Sequence, residues 1–204
     1  MTKHLIFLLF IITLNSCANN EKSTHDNKRD NIINGTFYEN DKARDLNEKG
    51  IELSRNGNYK EGNVMFLRAL ELEPNNPTTL SNLGLNNYFE DDYDNSIKYF
   101  QESYKVSDST YHMAAANLAM SYFYNEEYDK GIKIANYVIN HTDDKVILSS
   151  AYVNRAFNHI GNNNCEKAKT DIIYIYKNYR AVKNIEYHLK DLAKKMKNCV
   201  QQRV

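Results

Sequence analysis

The sequence predicts an all-α protein built as a stack of helical hairpins, and three observations carry that expectation. First, a four-residue phrase recurs: Asn58-Tyr59-Lys60-Glu61, Asp92-Tyr93-Asp94-Asn95, Glu127-Tyr128-Asp129-Lys130 and a degenerate Asn164-Cys165-Glu166-Lys167. Its second residue advances by 34, 35 and 37 positions, a period at which helix-turn-helix units stack into a continuous core. Second, small residues fall in two columns at the same phase: Gly50, Gly84, Ala119 and Ala156, then Gly62, Ser96, Gly131 and Ala168. Small side chains at fixed positions let helix backbones approach closely. Third, apolar residues between the turns recur at three- and four-residue intervals, which gives each helix one buried stripe.

The first sixteen residues stand apart from that pattern. Lys3 and His4 precede a ten-residue apolar run, Leu5 to Leu14, which closes at Asn15-Ser16-Cys17. A bilayer core of about 30 Å needs roughly twenty apolar residues, so the run reads as an export signal over residues 1–16. Leu14-Asn15-Ser16-Cys17 resembles the lipobox of bacterial lipoprotein precursors, which implies that Cys17 is acylated and heads the mature chain. Each buried acyl methylene contributes about 0.8 kcal/mol, so several chains would hold the protein stably on a membrane. The alternative is an ordinary cleaved signal with Cys17 incidental.

Residues 17–42 follow as a polar tether rich in Asn, Lys, Asp, Ser and Thr, a composition without helical periodicity. Within it Ile32, Ile33, Phe37 and Tyr38 are apolar, and they either pack on the first repeat or dock elsewhere. The repeats occupy residues 43–180, as units of about 43–76, 77–111, 112–148 and 149–180. The first unit carries Leu46, Gly50 and Leu53, a turn at Asn56-Gly57-Asn58, then Tyr59, Val64, Phe66, Leu67, Ala69 and Leu70. Pro74 ends its second helix, because proline lacks an amide donor and clashes with the preceding turn. In the fourth unit Cys165 replaces the tyrosine and no proline closes the repeat, as expected of a terminal unit. Residues 181–198 form one more amphipathic helix, with Ile185, Leu189, Leu192, Ala193 and Met196 on one face and lysines 190, 194, 195 and 197 on the other. It is the expected C-terminal cap, with residues 199–204 as a tail.

Ala69-Leu70-Glu71-Leu72-Glu73-Pro74-Asn75-Asn76 resembles the typical ending of a tetratricopeptide repeat, and four such units cover about 140 residues. The resemblance implies a right-handed superhelical stack whose first helices line a concave, peptide-receiving groove. On that register the groove receives Leu85, Tyr88 and Phe89 from the second unit and Met113, Met120, Phe123 and Tyr124 from the third. The fourth supplies Val153, Phe157 and Ile160. Asn82, Asn117 and Asn154 share one column, where an amide that both donates and accepts either pairs with an extended ligand or bridges neighbouring helices. The lysine and arginine clamp by which some family members hold a terminal carboxylate is missing, since its places hold Asn47, Met113 and Asn117.

The chemistry-bearing residues point away from catalysis. The six histidines, at 4, 25, 112, 141, 159 and 188, lack the i, i+4 spacing of a helical metal site. The acidic clusters Asp91-Asp92-Asp94, Glu126-Glu127-Asp129 and Asp143-Asp144 fall at turns and helix starts, where they satisfy free amides. No nucleophile elbow, Walker loop or dinucleotide fingerprint is present. A formal net charge of zero, with no basic stripe interleaved with aromatics, argues against nucleic acid. After Cys17, two cysteines remain. Counting outward from the connection between the last two helices places Cys165 opposite residue 196, within a turn of Cys199, so a Cys165–Cys199 disulfide is expected, the alternative being two unpaired thiols, one semi-buried and one in a frayed tail.

The function these readings support is a lipid-anchored protein-binding scaffold or assembly factor of the bacterial envelope, at the outer membrane. It uses no cofactor and no metal, and its partner is another protein. The alternative is a ligand-binding or nutrient-uptake lipoprotein with a closed pocket, and an enzyme is the least supported reading.

Overall fold

The computed structural model describes residues 38–183 and 185–201. The expected export segment, Cys17, Ile32, Ile33 and Phe37 lie outside them. Among the described residues there are nine helices and no strand. They are α1 (Asp41–Arg55), α2 (Tyr59–Leu72), α3 (Pro77–Phe89), α4 (Tyr93–Val106), α5 (His112–Tyr124), α6 (Tyr128–His141), α7 (Lys145–Gly161), α8 (Cys165–Asn178) and α9 (Ile185–Gln201). The all-helical hairpin architecture expected from the period is therefore observed. The chain divides between Tyr111 and His112 into two compact units.

In the first unit α1 packs on α2 and α3 on α4, with α2 also against α3. Local chemistry sets the helix starts. The Asn40 carboxamide oxygen accepts from the amides of Lys42 and Ala43, and that of Asn76 accepts from Thr79, with Pro77 in the first turn. Asp92 caps α4 through the Asn95 amide, as the acidic clusters predicted. The loop between paired helices needs one residue with positive φ. Gly57 supplies it at 82° in the first hairpin and Asp91 at 63° in the second. α2 stops at Leu72, two residues before Pro74.

The second unit repeats the scheme: α5 on α6, α7 on α8, and α7 against both α5 and α6. Glu126 and Asn163 take the left-handed turn position, with φ of 61° and 56°. α7 begins at Lys145, four residues ahead of the expected Ser149. The reason is Asp144, whose carboxylate accepts from the amides of Val146 and Ile147 and nucleates an early start. The cap helix packs on α7 and α8 and begins at Ile185, later than the expected residue 181. Its buried seam is Ile185, His188, Leu192 and Cys199, whereas the predicted Ala193 is exposed. A histidine thus replaces an aliphatic residue in the seam.

All eight small residues of the two columns are buried. The first column works within hairpins: a Cβ on Gly50 would come 2.5 Å from the Phe66 ring. The second works within and between hairpins. A Cβ on Gly62 would meet Ser54 Oγ at 2.6 Å and Asn86 Nδ2 at 2.8 Å, and one on Gly131 would collide with the Asn158 carboxamide. Asn158 is wholly buried and its amide donates to the Ala119 and Asn154 carbonyls, both at 2.8 Å. Gly131→Ala should therefore lower stability by about 2 kcal/mol, combining overpacking with a displaced buried amide. Chemical denaturation checks this, and an unchanged midpoint would mean that the asparagine can give way.

His188 supplies a pH dependence. It is 8 % exposed, and burial pushes its imidazole down to about 4 from the ordinary 6.5, only partly countered by Asp191. The folded state then binds fewer protons than the unfolded state between those values. Its contribution to stability is complete above pH 6.5 and is lost as pH falls towards 4. The expected loss from pH 8 to pH 5 is about 2 kcal/mol. His112 and His159, also shifted down by burial, act in the same sense. His188→Gln should flatten the stability profile between pH 7 and pH 5; an undiminished slope would assign it to other groups.

Candidate functional site

The eleven residues expected to line a groove divide between the units, four in the first and seven in the second. In the first unit Asn82, Tyr88 and Phe89 are buried, at 7, 3 and 9 % exposure, and Leu85 is half-buried. The two aromatics are engaged internally. Phe89 stacks on Tyr59 with ring centroids 5.4 Å apart, while Tyr88 meets Phe89 edge-on at 5.4 Å and Tyr93 at 6.0 Å. Tyr59 and Tyr93 are the recurring tyrosines of the turn phrase. Their role is to seat the aromatic ends of the first helices, so Tyr88 and Phe89 belong to the packed interior and not to an open surface.

In the second unit Asn117, Met120, Asn154 and Phe157 are buried, and so is Val153. Met113, Phe123 and Tyr124 stay half-buried, as does Ile160. Phe123 centres an aromatic cluster with Tyr124 at 5.1 Å, Phe157 at 5.4 Å and Tyr128 at 6.0 Å, and the Lys195 ammonium of α9 lies 5.4 Å from its centroid. A cation over an aromatic face is attracted by the ring quadrupole. The cap helix therefore covers part of the apolar surface that the register assigned to a ligand.

The asparagine column resolves mainly as a bridge between helices. The Asn82 amide donates to Asn47 Oδ1 at 2.9 Å, from α3 to α1. The Asn154 amide donates to the Ala116 carbonyl at 2.7 Å, from α7 to α5. Asn86 and Asn158, one turn further along, repeat the device by donating to the carbonyls of Tyr59 and Ala119. The carboxamide oxygens of Asn117 and Asn158 are both buried and have no hydrogen-bond partner among the described residues.

Three further features complete the picture. Cys165 and Cys199 form the expected disulfide, with Cα atoms 5.9 Å apart. Tyr38, the described member of the apolar tether residues, hydrogen-bonds Thr79 of α3 through its hydroxyl at 2.9 Å, and burial raises its phenol pKa. The nearby Asn40 amide donates to Glu73. Tyr38 therefore packs on the first unit.

Sequence reasoning missed the charged cluster of the second unit. Arg155 of α7 forks onto Asp171 of α8, Nε to Oδ2 at 2.9 Å and Nη2 to Oδ1 at 2.5 Å, while Nη1 donates to Asn136 Oδ1 at 2.7 Å. The Asp171 side chain is 4 % exposed and that of Arg155 21 %. The signal was present: Asp171 falls between Ala168 and Ile175 on the buried stripe of α8, where an unpaired carboxylate would be costly.

No group of three His, Cys, Asp or Glu among the described residues is placed to hold a metal. Among the same residues no helix is long and apolar enough to cross a membrane. No protein-family model matches the chain, and no curated protein matches it.

Proposed function

We propose that this chain is a tetratricopeptide-like interaction scaffold, exported and held at the bacterial envelope through a lipid on Cys17, where it binds a protein partner without catalysing a reaction. The observation that carries the reading is the half-buried apolar strip of Met113, Phe123 and Tyr124 on the second unit. Phe157, buried beneath it, meets Phe123 at 5.4 Å, and α5, the strip's own helix, buries Met120 and Asn117. Apolar surface with adaptable Met and Tyr contacts suits an apolar peptide or helix, with the buried aromatics as its rigid backing. The outer membrane is the expected location.

Two experiments test this. Photocrosslinking from position 113 or 124 in intact cells should capture one defined protein, and Tyr124→Ala should weaken that capture about tenfold, the loss of one aromatic anchor. Crosslinks confined to lipid or water, or capture unaffected by the substitution, would overturn the scaffold reading. Separately, Cys17→Ser should release the protein from membranes; a variant that survives carbonate washing in the membrane fraction would remove the anchor.

A further inference from the structure

A net charge of zero conceals a strong segregation of charge along the chain. Residues 38–111 carry fourteen Asp and Glu against eight Lys and Arg, whereas residues 165–204 carry ten Lys and Arg against four Asp and Glu. The two surpluses, six charges each and of opposite sign, therefore balance between two separate stretches of one sequence.

The first and last described helices concentrate these charges into stripes. On α1 the buried face is Ala43, Asn47, Gly50 and Ser54. Asp41, Asp45, Glu48 and Glu52, at i, i+4, i+7 and i+11, run along the opposite face, and all four are exposed. Arg44 flanks this stripe and pairs with Asp41 at 2.8 Å and Asp45 at 3.2 Å, yet those two carboxylates keep 83 and 66 % of their side-chain surface open. On α9 the face opposite Ile185, His188 and Leu192 carries Lys190, Lys194 and Lys197, at i, i+4 and i+7, again all exposed. Residues at these intervals stand one above another on a helix, so the lysine stripe, about 10 Å long, matches the spacing of three of the four carboxylates in an acidic stripe of about 16 Å.

We propose that the acidic stripe of α1 in one copy docks on the lysine stripe of α9 in a second copy, giving salt-sensitive head-to-tail self-association. The argument is charge complementarity: opposite sign, a shared i, i+4, i+7 spacing, and exposure on the first and last described helices. An interface joining two different faces is heterologous, so each added copy leaves one stripe of each sign open, and the assembly grows as a chain or closes as a ring. Charged surfaces of this kind set encounter rate and register, and salt screens them.

Charge swapping tests the proposal on the full chain. Sedimentation at 50 mM salt should reveal concentration-dependent association that weakens at least tenfold by 500 mM. Lys190→Glu with Lys194→Glu and Lys197→Glu should abolish it, as should Asp41→Lys with Asp45→Lys, Glu48→Lys and Glu52→Lys. Mixing the two variants restores opposite signs at both contacts, so association should return. Reversing Glu61, Glu71 and Glu102, which are exposed off α1, should leave it within about twofold. The proposal fails if the native chain stays monomeric at every concentration, if the swapped variants do not rescue each other, or if the control reversal is equally damaging. It also fails if the lysine reversal abolishes binding to phosphatidylglycerol vesicles while self-association persists, which would assign the stripe to an anionic membrane surface.

Discussion

Arg155→Ala should destabilise the protein by about 3–5 kcal/mol, the cost of leaving a buried charge without its partner. Asp171 is wrapped between α7 and α8 with 4 % of its side chain exposed, and the Arg155 fork supplies both of the hydrogen bonds that satisfy its carboxylate. The guanidinium also binds Asn136 and lies 5.0 Å from the Tyr152 ring centroid, so its loss opens the packing as well. The decisive comparison is the double variant. Arg155→Met with Asp171→Leu replaces the pair by apolar groups of similar size and should recover most of the loss, because no charge remains to desolvate. Urea denaturation of the two variants measures both quantities. A single variant within about 1 kcal/mol of the native protein would mean that water reaches the carboxylate.

That cluster also marks where the sequence stops being legible. The repeat period fixed the hairpins because each turn needs the same residue kinds: a positive-φ position at Gly57, Asp91, Glu126 and Asn163, followed one residue later by a polar helix start. The groove assignment failed in part because periodicity shows which face of a helix is apolar but not what covers it. Phe89 and Tyr88 look the same on a helical wheel whether they meet a ligand or the turn tyrosines Tyr59 and Tyr93. The same holds for Asn82 and Asn154, whose amides are engaged by neighbouring helices. By contrast the Cys165–Cys199 pairing followed from simple counting along two antiparallel helices, a geometry that depends on rise per residue and little else.

The disulfide carries the second large effect. Reducing it, or replacing Cys165 and Cys199 by Ser, should lower stability by about 3–4 kcal/mol in the chain-entropy model, since it closes a loop of 34 residues. The seam of Ile185, His188 and Leu192 remains, so the loss should concentrate at the far end of α9, with faster amide exchange there than in α7 or α8. Lys195 lies on that same end and sits over Phe123. Freeing α9 should therefore expose the Phe123 ring and strengthen capture of an apolar partner on the second unit, even as the fold weakens. Denaturation with and without a phosphine reductant gives the stability, and crosslinking yield from position 124 gives the exposure. Equal midpoints in both redox states would show that the unfolded chain gains no freedom from the broken bond. A lower midpoint with unchanged crosslinking would show that α9 holds its place over Phe123 through the apolar seam alone.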